Sequence, residues 1–177
     1  MDRIRRVSIV GMGALGILYG DFFAGTLGQE QVTFLADSDR VKNYKDHPVY
    51  CNDREWKFQV QDGAVPDSRG AAQLILFAVK ATALEAAARA VKNQVGKDTI
   101  ILSVLNGISS EEVIGHILGR EHMLYCVAQG MDAVKLGNRL TYSHMGEICI
   151  GIPESEAEKE PLLKKVTDLF DETGLPY

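Results

Sequence analysis

The stretch VSIVGMGALGILYGDFF, residues 7–23, restricts the fold more than any other part of the chain. It runs a β-rich apolar segment into three glycines spaced G-x-G-x-x-G. Beyond them Leu15, Leu18, Tyr19, Phe22 and Phe23 recur on one helical face. A strand that turns tightly into a helix returns to the same sheet by a right-handed crossover, which calls for parallel strands. The glycines themselves have two readings. Glycine adopts positive φ wherever a turn needs it. It also lets a backbone approach a pyrophosphate at a helix N-terminus, whose free N–H groups and dipole attract the anion. Gly11 directly after the strand, Gly13 in the turn and Gly16 opening the helix favour a dinucleotide seat over a purely structural turn.

The rest of the chain repeats the same alternation. QVTFLA (31–36) reads as a second strand and SDRVKNYKD (38–46) as a short polar helix. HPVYCNDREWKFQVQDG (47–63) alternates around Asn52-Asp53 and predicts a hairpin laid beside the main sheet. LILFAV (74–79) is apolar at every position, as a parallel strand covered on both faces must be, and leads to a helix capped by Thr82-x-x-Glu85. TIILSVL (99–105) is another such strand. It is followed by an Asn106-Gly107 turn and a helix capped by Ser109-x-x-Glu112, with Val113, Ile114, Ile117 and Leu118 on one side. MLYCVAQG (123–130) is expected as a fifth main strand, and RLTYSHMG and EICIGIP, within 139–153, as an antiparallel pair. PLLKKVTDLFDETG (161–174) predicts an amphipathic helix ended by Gly174, and LPY the start of another strand. The sum is an α/β chain: one dinucleotide-binding domain over residues 1–177, with a Rossmann-type doubly wound, mainly parallel sheet and a small antiparallel extension. Its ligand crevice should lie at the carboxyl ends of the strands.

Composition excludes several functions. Hydrophobic residues make up 46% and charged residues 24%, ordinary for a soluble globular protein, and no apolar run approaches the length of a bilayer span. No membrane partner is expected. MDRIRRVSIV carries charge before an apolar run, but no small-residue cleavage site follows, so a cytoplasmic location is expected. The net charge of −5, with Lys and Arg scattered, speaks against nucleic acid as a partner. Cys51, Cys126 and Cys149 are far apart and read as packed thiols. His47, His116, His122 and His144 show no HExxH spacing, so no metal is expected. Ser8, Ser103, Ser109 and Ser110 lack the GxSxG elbow of a nucleophilic serine.

Four polar residues fall where such a crevice would be. Asp37 follows the second strand, about 20 residues past the glycine turn, where a carboxylate meets the ribose 2′-hydroxyl of NAD; the same residue suits a helix N-cap. Arg40 is placed either to cover the 2′-phosphate of NADP or to lie on a solvated helix face. Lys80 and Asn106 follow the next two strands at the same edge. An ammonium there suits a phosphate or a substrate carboxylate, and an amide suits a ribose or carbonyl oxygen; a solvated lysine and an ordinary Asn-Gly turn are the alternatives.

The order and spacing of VSIVGMGALG, ILFAVKA (75–81), LSVLNGIS (102–109) and GNRLTYSHMGEICIG (137–151) resemble the ketopantoate reductases (2-dehydropantoate 2-reductases), specifically their N-terminal nucleotide-binding domain. The resemblance covers essentially the whole chain. It implies that Gly11, Met12, Gly13, Ala14, Leu15 and Gly16 hold the pyrophosphate, that Lys80 and Asn106 face cofactor and substrate, and that Ala133 lies on the nicotinamide side. It also implies NADP as cofactor and a small 2-oxo acid as substrate. Two residues depart from the family pattern: Ala36-Asp37 stands where a basic residue is frequent, which leaves NAD open, and Leu105 replaces the usual Gln before Asn-Gly. The family's helical C-terminal domain, with its catalytic lysine, is absent from these residues, so no catalytic residue is assigned. The chain alone is expected to bind cofactor without appreciable turnover, and an uncovered last helix is expected to favour a homodimer. The alternative function is a non-catalytic nucleotide-binding or sensing module.

Overall fold

Unbroken runs of β-branched and aliphatic residues build the centre of the protein. The computed structural model describes residues 3–107 and 109–177. In chain order the first half contains β1 (Val7–Val10), α1 (Ala14–Leu27), β2 (Val32–Ala36), α2 (Ser38–Lys45), β3 (Val49–Cys51), β4 (Arg54–Trp56) and β5 (Gln59–Asp62). Then come β6 (Leu74–Phe77), α3 (Leu84–Ala90), β7 (Ile100–Ser103) and α4 (Ser110–Leu118). The chain goes on through β8 (Tyr125–Gln129), β9 (Val134–Leu136), β10 (Arg139–Thr141), β11 (Glu147–Gly151) and α5 (Glu160–Thr173).

Among the described residues the main sheet has five strands in the order β5-β2-β1-β6-β7, all parallel. The chain moves outward from β1 in one direction to reach β2 and in the other to reach β6, so the topological switch lies beside β1. Alternation along each strand divides the core into two layers. Leu74 and Leu76 of β6 point to the side holding Ile17, Leu18 and Phe23 of α1 and Val166, Leu169 and Phe170 of α5. Ile75 and Phe77 point to the side holding Leu84, Ala87 and Ala88 of α3 and Ile114 of α4. This is the Rossmann-type arrangement expected from the sequence, with its small antiparallel addition.

The additions differ in detail from expectation. Asn52 and Asp53, with φ of 46° and 65°, do turn β3 into β4. The run after them is no part of that hairpin: β5 lies parallel to β2 at the edge of the main sheet, its half-exposed Gln-Val-Gln-Asp suited to a strand with one open side. Residues 123–130 were expected to be the fifth main strand, but the chain leaves the sheet after a single bridge between Ile101 and Met123. β8 then pairs antiparallel with β11. Its exposed Tyr125 and Val127 flank buried Cys126, a two-sided pattern unlike that of a sandwiched strand. β10 does not pair with β11. It lies between β3 and β9 in a second, four-stranded sheet of order β4-β3-β10-β9. LPY forms no strand; the Ile148 N–H donates to the Pro176 carbonyl, and Gly174 ends α5 at φ 75° as expected.

Neither capping box forms. A 3-10 turn over Ala81–Ala83 leads into α3, leaving Thr82 exposed and the helix without a side-chain cap. Ser109 already has near-helical φ/ψ and makes no cap bond. Its neighbour Ser110 is drawn inward, accepting from the Ser103 hydroxyl at 2.8 Å and donating to Glu111 at 2.8 Å.

A carboxylate fastens the second sheet to α1. Asp21 accepts from Trp56 Nε1 at 2.6 Å through one oxygen and from the Tyr142 hydroxyl at 3.0 Å through the other. Burial pushes the Cys51 thiol up to about 12, helped by the charge of Asp21 and a hydrogen bond to it, so the thiol stays protonated beside the carboxylate. Asp21→Ala leaves the buried indole N–H and the phenol without their acceptor. The expected loss is about 3 kcal/mol, with Asp21→Asn losing about half, measured from urea denaturation midpoints; an unchanged midpoint for Asp21→Ala would show that this clasp contributes nothing.

Candidate functional site

The three glycines of the first turn do different work. Gly11 has φ +108°, and a Cβ there would stand 2.7 Å from the Ala78 carbonyl oxygen just beyond β6. A Cβ on Gly16 would overlap the Gly11 carbonyl itself. Both positions are therefore filled by backbone. A Cβ on Gly13 meets only the Ala78 carbonyl oxygen, at 3.6 Å, an ordinary contact. Gly13 is also the N-cap of α1; it makes no side-chain cap bond and the first turn holds no acidic residue. The leading N–H groups of the helix are thus left for an outside acceptor.

These groups line a cleft of about 630 Å³ over the carboxyl ends of the strands, at the switch point. Of the residues singled out from the sequence, Gly11, Met12, Gly13, Ala14, Leu15, Asp37, Arg40, Lys80 and Asn106 all border it. Gly16 is buried beneath the turn rather than in the cleft. Ala133 is half-buried between β8 and β9 and packs against the core away from the cleft lining. A larger groove, about 850 Å³, runs along α5 past Ile4, Leu163 and Leu169, but it holds none of these residues.

At one end of the cleft Asp37 caps α2. One oxygen accepts from the Arg40 backbone N–H at 2.9 Å and the other from Arg40 Nη1 at 2.7 Å. Tyr44, one helical turn beyond Arg40, borders the same end, and Ala83, just before α3, and Ala87 of α3 are also part of the lining. These three were not singled out from the sequence. The i, i+4 spacing from Arg40 was the available signal for Tyr44.

At the other end Lys80 and Asn106 follow β6 and β7, both exposed. The segment before Asn106 is held from below. Ser103 Oγ accepts from the Leu105 N–H at 3.4 Å, and the Cys126 thiol donates to the Ser103 carbonyl at 2.8 Å. Burial pushes that thiol up to about 12, keeping it a neutral donor. Among the described residues no three His, Cys, Asp or Glu side chains are grouped to hold a metal ion, and no helix is long and apolar enough to cross a membrane.

A glycine turn of this shape at a parallel switch point accompanies a family match. The model of the family described as ketopantoate reductase PanE/ApbA matches residues 7–155. The chain belongs to this family. Among solved structures, D-mandelate dehydrogenase, in a ternary structure with NADH and anilino(oxo)acetate, superposes with a TM-score of 0.76 at 23% identity, covering 97% of this chain and 55% of that one. A protein from Enterococcus faecalis assigned as a 2-dehydropantoate 2-reductase gives 0.73 at 22%, with 97% and 55% covered. The 2-dehydropantoate 2-reductase from Geobacter metallireducens GS-15 gives 0.69 at 24%, with 96% and 56% covered. Likeness at these identities shows the fold. This ketopantoate reductase family member spans about half the length of those structures. No curated protein matches it in sequence.

The glycine geometry separates packing from openness. Gly16→Ala is expected to destabilise the family domain by about 3 kcal/mol or more, because backbone must move to admit the methyl group. Gly13→Ala, at ordinary φ with free space, should change stability by less than about 1 kcal/mol. Thermal denaturation of the two variants reads the contrast, and equal melting temperatures would contradict it.

Proposed function

We propose that the cleft over Gly11 to Leu15 holds a nicotinamide dinucleotide, and that residues 1–177 serve as the dinucleotide-binding domain of a reductase acting on the ketone of a 2-oxo acid, 2-dehydropantoate to pantoate being the reaction the family suggests. One observation carries the reading: an uncapped helix N-terminus opens into the cleft through Gly13, the turn glycine at which a Cβ would meet backbone at no less than an ordinary 3.6 Å. Backbone N–H groups and a partial positive charge of about half an electron then meet the pyrophosphate, with no side chain between them. In support, D-mandelate dehydrogenase, whose structure contains NADH, shares this fold over 97% of the chain.

When bound, the nicotinamide supplies the hydride. The chain's own residues hold and orient. Lys80 is suited to a substrate carboxylate or a phosphate, and Asn106, braced through Ser103, to a ribose or carbonyl oxygen. Ketone reduction also leaves negative charge growing on oxygen, which needs a positioned acid or cation away from water. Lys80 is exposed on an open cleft and is assigned to binding. The proton donor and the cover are proposed to come from polypeptide corresponding to the other half of the longer relatives.

Fluorescence titration tests the site. The wild-type chain is expected to bind NADH or NADPH with saturation, and Gly13→Val to lose at least about tenfold in affinity while keeping its circular dichroism spectrum; equal affinity in the two would remove the pyrophosphate from this turn. Assayed for cofactor oxidation with ketopantoate, the 177 residues alone are expected to stay at background, and a chain extended to the relatives' length to turn over; comparable rates would mean that the acid lies within residues 1–177.

A further inference from the structure

We infer that the Asp37–Arg40 pair sets this cleft for NADH over NADPH, the opposite of what family resemblance implies; the inference rests on the dinucleotide reading of the cleft. Both side chains border it and are about half exposed, at 41% and 50%. Asp37 is the first residue after β2, the position from which a side chain meets the adenosine ribose in a doubly wound sheet.

The carboxylate is not free to leave. α2 is a short polar helix whose single buried residue is Val41, so its start depends on the Asp37 cap rather than on packing. One carboxylate oxygen is fixed on the Arg40 N–H, and the other receives the Arg40 guanidinium. Toward a ligand the pair is close to neutral. A ribose 2′-hydroxyl is a donor, and the Asp37 oxygen that holds Arg40 has a further lone pair with which to accept it.

A 2′-phosphate meets the reverse situation. It brings nearly two negative charges and three acceptor oxygens to a carboxylate that has nothing to donate. With Nη1 on Asp37, Arg40 offers a phosphate only its remaining donors, and bringing the whole guanidinium over means leaving Asp37; either way the carboxylate stays in the same pocket, held by the helix start. No other charge helps. Among the described residues lining the cleft the one further cation is Lys80, after β6. β1 lies between β2 and β6, so the strands leading to Asp37 and Lys80 are about 10 Å apart. Apart from Asp37, Arg40 and Lys80, the residues lining the cleft, Tyr44 among them, carry no charge.

Asp37→Ser separates the charge from the cap, because serine also caps helices but leaves Arg40 unpaired. Dissociation constants for NADH and NADPH are measured by fluorescence titration on the wild type, on Asp37→Ser and on Asp37→Ser/Arg40→Ala, with circular dichroism confirming that each is folded. The wild type should prefer NADH at least tenfold. Asp37→Ser should shift the NADPH-to-NADH ratio at least tenfold toward NADPH, and the second substitution should abolish the shift. A wild type that favours NADPH or binds both equally, or an Asp37→Ser ratio unchanged from wild type, overturns the inference. A folded wild type that binds neither nucleotide overturns the dinucleotide reading beneath it.

Discussion

Backbone pressed against backbone at one point determines much of this structure. Gly16 rests on the Gly11 carbonyl, and Gly11 rests on the chain just past β6. No side chain fits in either contact, so α1 leaves the sheet at a fixed angle directly over β1. Its apolar face then covers Ile9 and Leu76, while Asp21 on the same helix gathers Trp56 and Tyr142 of the second sheet. The turn that lowers α1 onto the sheet is the one that leaves its first N–H groups pointing at open space. The same three glycines fix the packing and leave the helix end open: Gly11 and Gly16 are pressed against backbone, and Gly13 is not.

The central fold was legible because its strands are sandwiched. Leu74 to Phe77 and Ile100 to Ser103 are buried at every position, and such runs have few other ways to hide. Legibility failed where a strand has one open side. Gln59 to Asp62 reads equally as a hairpin arm or an edge strand, since alternation reports that one face is covered and not what covers it. Cys126 and Leu140 are each buried between exposed neighbours, and their partners lie in segments far along the chain, which local pattern cannot choose. Nor could local pattern show that Ser110, beside the expected cap Ser109, would take its partner from Ser103 across the strand-to-helix loop.

The candidate site was legible as positions rather than as interactions. Counting along the chain put Asp37, Lys80 and Asn106 at one sheet edge, and the cleft contains all three. Counting did not show that Asp37 serves its own helix and holds Arg40, because a cap and a ribose ligand call for the same residue at the same place. Nor did it show Tyr44, Ala83 and Ala87, whose presence in the cleft follows from helix direction.

The second sheet has its own timetable. All five strands of the main sheet lie before residue 104, whereas β3, in the middle of the smaller sheet, waits for β10. Asn52 and Tyr142 exchange hydrogen bonds across 90 residues of sequence. During synthesis from the N-terminus, the β3–β4 hairpin therefore emerges with one edge unpaired and stays so while α3, β7, α4 and β8 are made. Loop closure over that span is slow compared with the local crossovers. From the completion of β7 until β10 emerges, the growing chain carries an exposed ribbon edge beside a main sheet whose strands have all been made, an edge open to pairing with another strand.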